Sequence, residues 1–529
     1  MPGQGEPVNP RPRAWAASAR GATTPHGTTP DATARDGTAP DTPARDAAAP
    51  RGLLPVLATA EFMLVLDLSI VNVALPKIQA GLGFTPGALE WVINAYALTF
   101  GGFLLLGGRA ADLFGGRRVF LAALSVFTLA SLACGLASGP AGLIAARAVQ
   151  GLSAGVLSPA TLSILTAAFT DSRARNRALS IWSAVAIGGG AVGAVAGGLL
   201  TGLLSWRWIF SVNVPVGGVL LAAAAACLPR ETASTGRSRL DLAGALTATG
   251  GLTAITWALI GAQSDGWLSA QVIGALAAGV MLLGAFAVVE TRVARAPLVP
   301  FSVFGSRLVS AGNALSFLGF VPVMAIWFFL TLYLQDVRGY SALQAGLVFL
   351  PLSLAVAAGT QASFKLIPHA DTRLVYLGGG LAAAAGAVWL AQLTPAGSLL
   401  WTVTVPACLV MAGGGLMFAP VMAAATAGLP PSQGGLASGL LNTSRQTGGA
   451  LGLAILASVA AAHTGTTHGS HAGLTAGFSA AFAVAAGIFA ATAMAGALIL
   501  PSRIDAPRPA GAPRPPDGRQ PADGHPGAQ

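Results

Sequence analysis

Between residues 53 and 500 the chain repeats one pattern, a stretch of about 20 or more predominantly apolar residues followed by a short polar link. Some 20 such residues in a helix cross the ~30 Å hydrocarbon core of a bilayer. No water is present there to take up a free peptide group, so each segment must satisfy its own backbone, which a helix does. The pattern therefore predicts an all-α polytopic membrane protein. We place 14 transmembrane helices near residues 53–75, 88–107, 119–138, 141–168, 178–204, 208–228, 240–262, 268–290, 308–334, 343–364, 374–392, 397–427, 437–462 and 472–500. Composition agrees: 54% of residues are hydrophobic and 9% charged, too few charges to coat a soluble surface of this size.

Basic residues give the orientation. With the N-terminus inside, the inner loops hold 14 Arg and Lys: Arg109, Arg117, Arg118, Arg173, Arg175, Arg177, Arg230, Arg237, Arg239, Arg292, Arg295, Arg307, Lys365 and Arg373. The outer loops hold three, Lys77, Arg207 and Arg338. That asymmetry predicts a multi-pass protein of the cell (plasma) membrane with both termini cytoplasmic. It also accounts for the net charge of +10 as topology, so no nucleic-acid partner is expected.

Residues 1–51 and 501–529 are Pro-, Ala- and Gly-rich and build no apolar core, so both tails are expected to be disordered cytoplasmic extensions. Weak internal symmetry suggests a six-helix bundle over 52–228 and a second over 307–500. An inserted helix pair, spans 7 and 8, would lie between them over 229–306. Cys134, Cys227 and Cys408 fall inside apolar segments at no metal-ligand spacing and read as packing residues. His463, His468 and His471 read as a solvated outer loop. Neither cofactor nor metal is expected. A G-x-x-x-x-G-K-[ST] phosphate loop is missing, and the spans carry no convergent set of catalytic groups, which argues against an ATP-driven pump or an enzyme.

One residue breaks the pattern early. LVLDLSIVNVALP (64–76) places Asp67 inside an apolar run, near mid-membrane by count from residue 53. A carboxylate at that depth is expensive and marks an ion or substrate path far more often than chance. Burial opposes its ionisation and a cationic neighbour favours it, so such an acid can be poised to exchange a proton with either side. Arg147, in ARAVQGLSAG, meets the same expense and must face the bundle interior. Asp67, as the acid, and Arg147, as its electrostatic modulator, are the proton-coupling candidates. The alternatives are a satisfied buried aspartate that only fixes packing and an arginine paired with a backbone carbonyl or a carboxylate.

Further motifs carry a resemblance. GGRAADLFGGRRVF follows the second span, with Gly108, Asp112, Gly115, Arg117 and Arg118 in a short loop. It resembles the first signature of the major facilitator superfamily, Gly-x-x-x-Asp-(Arg/Lys)-x-Gly-(Arg/Lys)-(Arg/Lys), with the arginines displaced by one. In that family the loop latches the cytoplasmic gate; Leu113 and Gly116 stand where basic residues are common, which implies a weaker latch. Arg147, Gln150, Gly151 and Gly155 resemble the second signature. IGGGAVGAVAGGLL brings Gly189, Gly193 and Gly197 onto one helix face, where another helix can approach closely. With Gly198 it resembles the antiporter signature Gly-Pro-x-x-Gly-Gly, although Ala194 replaces the proline and removes any proline kink. WRWIFSVNVPVG (206–217), YLQDVRGYSALQAGLVFLP and GLASGLLNTSRQTGGALG are similar to segments of the fourteen-helix drug:proton antiporter branch.

The resemblance implies a monomeric secondary active transporter exporting drug-like or antibiotic small molecules in exchange for protons by alternating access. Alternatives are export of an endogenous metabolite or siderophore, lipid or solute translocation, and a regulatory membrane protein on a transporter scaffold. Candidate cavity residues are Glu61, Asn94, Asn313, Trp327, Phe328 and Arg445. For the aromatics, packing is the plainer reading; for Arg445, structural pairing.

Overall fold

A computed structural model describes residues 52–169, 171–228, 241–294, 297–299, 301–427, 434–464 and 470–503. Residues 1–51 and 504–529, expected to be disordered, lie outside the described residues. So do Arg230, Arg237, Arg239, Arg295 and His468.

All regular structure among the described residues is helical. The long helices are α1 (Leu53–Leu82), α2 (Trp91–Phe114), α3 (Gly116–Gly135), α4 (Pro140–Ala168), α5 (Ser172–Leu203), α6 (Asn213–Cys227), α7 (Leu242–Asp265) and α8 (Ala270–Val288). They continue with α9 (Arg307–Leu332), α10 (Ala342–Leu366), α11 (Thr372–Leu390), α12 (Val405–Leu416), α13 (Gly434–His463) and α14 (His471–Ile499). A π-helical turn, Leu400–Thr404, leads into α12, and Phe418–Thr426 continues it after a break at Met417. Twelve helical stretches of the described residues are long and apolar enough to cross a membrane. Two long helices, α5 and α13, fall outside that set. Arginines begin α5, and α13 carries Asn442, Thr443, Ser444, Arg445 and Gln446 in succession.

Local chemistry sets the helix starts. Asp171, Asp241 and Asp371 each accept a backbone N–H of the first turn they precede, and Ser269, Ser306 and Ser470 do the same with their hydroxyls. Ser341 and Gln344 form a reciprocal capping box. Each such cap contributes about 1 kcal/mol.

We call the end where Gly52 enters α1 proximal and the opposite end distal. At the distal end one apolar core joins residues from both halves of the chain: Leu75 and Ile78 of α1 and Phe210 pack in the same cluster as Phe328, Phe349 and Ala387. At the proximal end the buried apolar residues divide. Leu57, Leu64, Phe120 and Leu220 form one cluster, and Leu315, Tyr376, Val421 and Leu441 another. A smaller group, with Phe103, Leu106, Ala245 and Leu440, bridges them on one flank. The Gln335 side chain adds a hydrogen bond between halves at the distal end, donating to Val73 O at 2.7 Å.

Helix α7 packs on α8, α13 and α2, and so lies along the seam between the halves. Burial separates centre from rim: 83% of the apolar window in Gly87–Ala111 is buried, against 11% in Ala270–Val293. Hence α2 is central and α8 peripheral.

Candidate functional site

Asp67 is fully buried and is the hub of a polar network in an otherwise apolar bundle. Arg147 Nη1 donates to Asp67 Oδ2 at 2.6 Å, with neither side chain exposed. Asp67 Oδ1 accepts from Gln150 Nε2 at 2.8 Å and from Asn213 Nδ2 at 2.7 Å. Arg147 also donates to Gln150 Oε1 at 2.7 Å and, through Nε, to Val92 O at 3.1 Å. Gln150 in turn donates to Ser131 Oγ at 2.8 Å. Tyr96 lies under the guanidinium, its ring centroid 4.3 Å from the central carbon, with Phe210 at 5.7 Å.

Helical geometry assembles this set. Arg147 and Gln150 are three residues apart and so share a face of α4, which points at α1. Asn213 is the first residue of α6, and Ser131 is in the last turns of α3. Close approach of α2 and α4 is possible because Gly155 has no side chain; a Cβ there would sit 2.5 Å from Phe100 O. The network thus ties α1, α4 and α6 together through one carboxylate and reaches α3 through Gln150. Ionised, Asp67 balances Arg147 and gathers charge-assisted bonds from three side chains. Protonated, it leaves the guanidinium without its counter-ion in a dry site, an arrangement unstable until water or another anion arrives.

The structure brings the two proton-coupling candidates into direct contact. Asn213, Ser131 and Tyr96 complete the site although no role was assigned to them from sequence. Their signal was present in principle: each is a polar atom inside an apolar span, which needs a partner when buried. Nothing in linear sequence said that Asn213 would meet Asp67, Ser131 would meet Gln150 and Tyr96 would lie against Arg147. Asn213→Ala should lower stability by about 2 kcal/mol, since a donor to a buried charge is lost. Thermal unfolding of the detergent-solubilised protein checks this, and an unchanged melt would remove Asn213 from the network.

The gate-loop residues are arranged differently from the expected loop. Helix α2 continues through Gly108 and the backbone of Asp112 to Phe114, so only Gly115 links α2 to α3. Gly115 has φ of 87°, in the region that favours glycine. The Ala-, Leu- and Phe-rich stretch supports helix right up to that residue. Arg117 donates to Ala225 O at 2.7 Å, satisfying a carbonyl in the last turn of α6, while Arg118 is exposed.

The glycine motif has two faces. A Cβ at Gly189, Gly193 or Gly197 would meet Phe62 O, Leu66 O or Ile70 O of α1 at 3.0, 2.9 and 2.6 Å. Gly198 faces the other half, where a Cβ would lie 2.6 Å from Ala342 O.

The remaining candidates are dispersed. Glu61 is buried six residues before Asp67 on α1, its Oε1 accepting from Ser158 Oγ at 3.3 Å. Asn94 is fully buried in α2. Asn313 donates to Val309 O and accepts from Ser444 Oγ at 3.1 Å. Trp327 stacks on Phe349 with centroids 4.7 Å apart, and Phe328 is enclosed in the distal core. Arg445 lies in α13 between Phe320 and Phe418. A cleft of about 500 Å³ between α2 and α7, lined by Thr99, Phe103, Thr249 and Trp257, includes none of the Asp67 network. The charge geometry, more than that cleft, marks the site, because such clefts also form wherever helices meet lipid.

Comparison with known proteins agrees with this architecture. The family model for the Major Facilitator Superfamily matches residues 57–453. Cephamycin export protein CmcT of Amycolatopsis lactamdurans is 47% identical over 409 residues, covering 77% of this chain and 84% of that protein. Puromycin resistance protein pur8 of Streptomyces alboniger is 43% identical, with 78% and 82% covered. Methylenomycin A resistance protein of Streptomyces coelicolor is 34% identical, with 76% and 84% covered. Among solved structures, a D-xylose-proton symporter superposes with a TM-score of 0.61 at 13% identity, covering 85% of this chain and 98% of that one. The POT family transporter PepTSo gives 0.59 at 17%, with 85% and 99% covered. An all-helical multi-pass fold, a match over most of its length and relatives far above 30% identity lead to one conclusion: the chain belongs to the Major Facilitator Superfamily.

Proposed function

We propose that this transporter exports drug-like or antibiotic small molecules across the plasma membrane in exchange for protons. The observation that carries the reading is the Asp67–Arg147 pair, an ion pair of 2.6 Å buried at the middle of the bundle. Relatives named for cephamycin export, puromycin resistance and methylenomycin A resistance support the class of cargo and the outward direction.

In this reading α5 and α13 join the 12 apolar stretches to make 14 crossings. Residues 52–228 and 307–500 form two six-helix bundles, 229–306 carries the inserted pair, and both tails are cytoplasmic. The proximal end is then the cytoplasmic one, supported by the 14 to three distribution of basic residues. The shared distal core makes this an inward-facing arrangement, and a single chain suffices for the cycle. Gly108, Asp112, Gly115, Arg117 and Arg118 form the cytoplasmic gate loop.

Proton transfer acts on packing. Protonation of Asp67 weakens its hold on Arg147, Gln150 and Asn213, loosening α1 from α4 and α6; deprotonation restores the grip. One elementary charge crossing 100 mV supplies about 2.3 kcal/mol, and one pH unit about 1.4. Together these sustain a gradient of several hundredfold per proton.

A susceptibility panel in a pump-deficient host, paired with proton flux in proteoliposomes, tests the proposal. We expect raised tolerance to puromycin and ethidium and drug-driven proton movement. Export that persists unchanged with the pH gradient and membrane potential collapsed would overturn the coupling. A finer test concerns Gly198. Gly198→Leu should wedge α5 from α10 and raise labelling of a reporter cysteine at the fully buried Ala74, in a background with the native cysteines replaced by alanine. We expect a severalfold increase with an impermeant maleimide; no change would mean that this contact does not close the distal end.

A further inference from the structure

Among the described residues, Arg147 and Arg445 lie about two turns or more from either end of their helices, and they are treated differently. Arg147 is held by a carboxylate, an amide and a backbone carbonyl through Nη1 and Nε, and only its Nη2 lacks a partner. Arg445 makes neither an ion pair nor a hydrogen bond among the described residues. It is held instead by two rings, Phe320 of α9 at 4.7 Å and Phe418, just beyond α12, at 5.2 Å. Ring contacts occupy the face of a guanidinium and satisfy none of its five N–H donors. Its edge is left without a partner.

Depth sharpens the point. Arg445 is 11 residues into α13 and Asp67 is 14 residues into α1, counting from the same end of the molecule. At 1.5 Å per residue these are comparable depths, about 16 and 21 Å along their helices. A lipid headgroup phosphate resides at the interface and does not reach that level. An uncompensated cation at bilayer depth is expensive and is found where it serves an ion or substrate. Its neighbours in the chain are polar as well: Gln446 is buried, and Ser444 donates to Asn313 at 3.1 Å. The two rings and the open guanidinium edge suit a compound with one acidic group on an apolar body.

We propose that Arg445 docks a carboxylate of the exported molecule, so that the cargo of this protein includes small apolar organic acids. The recognition is the parallel two-bond pairing of a guanidinium edge with a carboxylate, which a neutral ester cannot accept in the same way. The aromatic contacts pre-set the plane, so little side-chain freedom is lost on binding. Phe320 and Phe418 are positioning residues in this scheme; Arg445 supplies the specificity. The inference rests on the transport reading above.

The test uses the full-length protein in lipid nanodiscs, with benzylpenicillin, salicylate and fluorescein as probes, each beside its methyl ester. We expect calorimetric titration to show at least one acid binding tenfold or more tightly than its ester. Arg445→Gln should lower affinity for that acid about tenfold and bring the acid-to-ester ratio near one, whereas Arg445→Lys should keep part of the preference. A thermal melt of each variant confirms that it is folded. Wild-type protein that prefers none of the acids, or an R445Q variant that weakens acid and ester equally, overturns the proposal. Exclusion of ethidium by cells expressing the wild-type protein separates the two readings. If ethidium is exported and the acid preference is missing, only the carboxylate site is lost; if nothing is exported, transport itself is refuted.

Discussion

Asp67→Asn protein should lose drug-driven proton flux altogether and export at least a hundredfold more slowly than wild type. Asparagine keeps the shape of the side chain but neither balances Arg147 nor takes up and releases a proton near neutral pH. The change also leaves a guanidinium at 0% exposure without its counter-ion. Breaking a buried pair from one side costs about 3–5 kcal/mol. Reduced stability and lost coupling would therefore appear together in the single variant. The double variant Asp67→Asn with Arg147→Gln separates them, because it removes both charges and should recover much of the melting temperature with no recovery of proton flux. Normal export by the single variant, or restored flux in the double one, would show that the pair is structural only.

The second large effect concerns packing. Gly197→Leu should destabilise the protein by several kcal/mol and reduce the yield of folded material severely. A Cβ at this position falls 2.6 Å from Ile70 O and 3.0 Å from the Ile70 side chain, so α5 and α1 would have to part. Overpacking a fitted interface costs about 1–3 kcal/mol for a few methylenes, and more when backbone is the obstacle. Gly188→Leu is the matched control: a Cβ there meets nothing within 4 Å, and that variant should fold as wild type does. Size-exclusion profiles and melting temperatures of the two variants decide the matter. Equal behaviour would mean that the glycine face does not set the α1–α5 contact.

Linear pattern carried much of this architecture because the bilayer imposes one rule on every segment. Apolar length, helix form and crossing follow from it without reference to neighbours. Helix α13 shows where that rule thins. Its run Asn442 to Gln446 lowers apolarity below what a crossing needs by composition, and only its packing on α9, α2 and α14 reveals how those polar groups are accommodated. The gate motif shows another limit. Glycine-rich spelling suggested a loop, yet Gly108 is helical and Gly115 alone turns the chain, since φ at each glycine depends on what surrounds it.

By itself, then, the sequence determined an all-helical membrane chain, the burial of Asp67 and Arg147, and a one-sided glycine stripe on α5. Each is settled by the price of placing polar or bulky groups in hydrocarbon, a one-body quantity readable residue by residue. Tertiary structure alone decided that Arg147, Gln150 and Asn213 converge on the same carboxylate, that Gly197 and Gly198 serve different neighbours, and that Arg445 is left to two rings. Those are pairwise facts, fixed by how helices far apart in the chain rotate and cross when they pack.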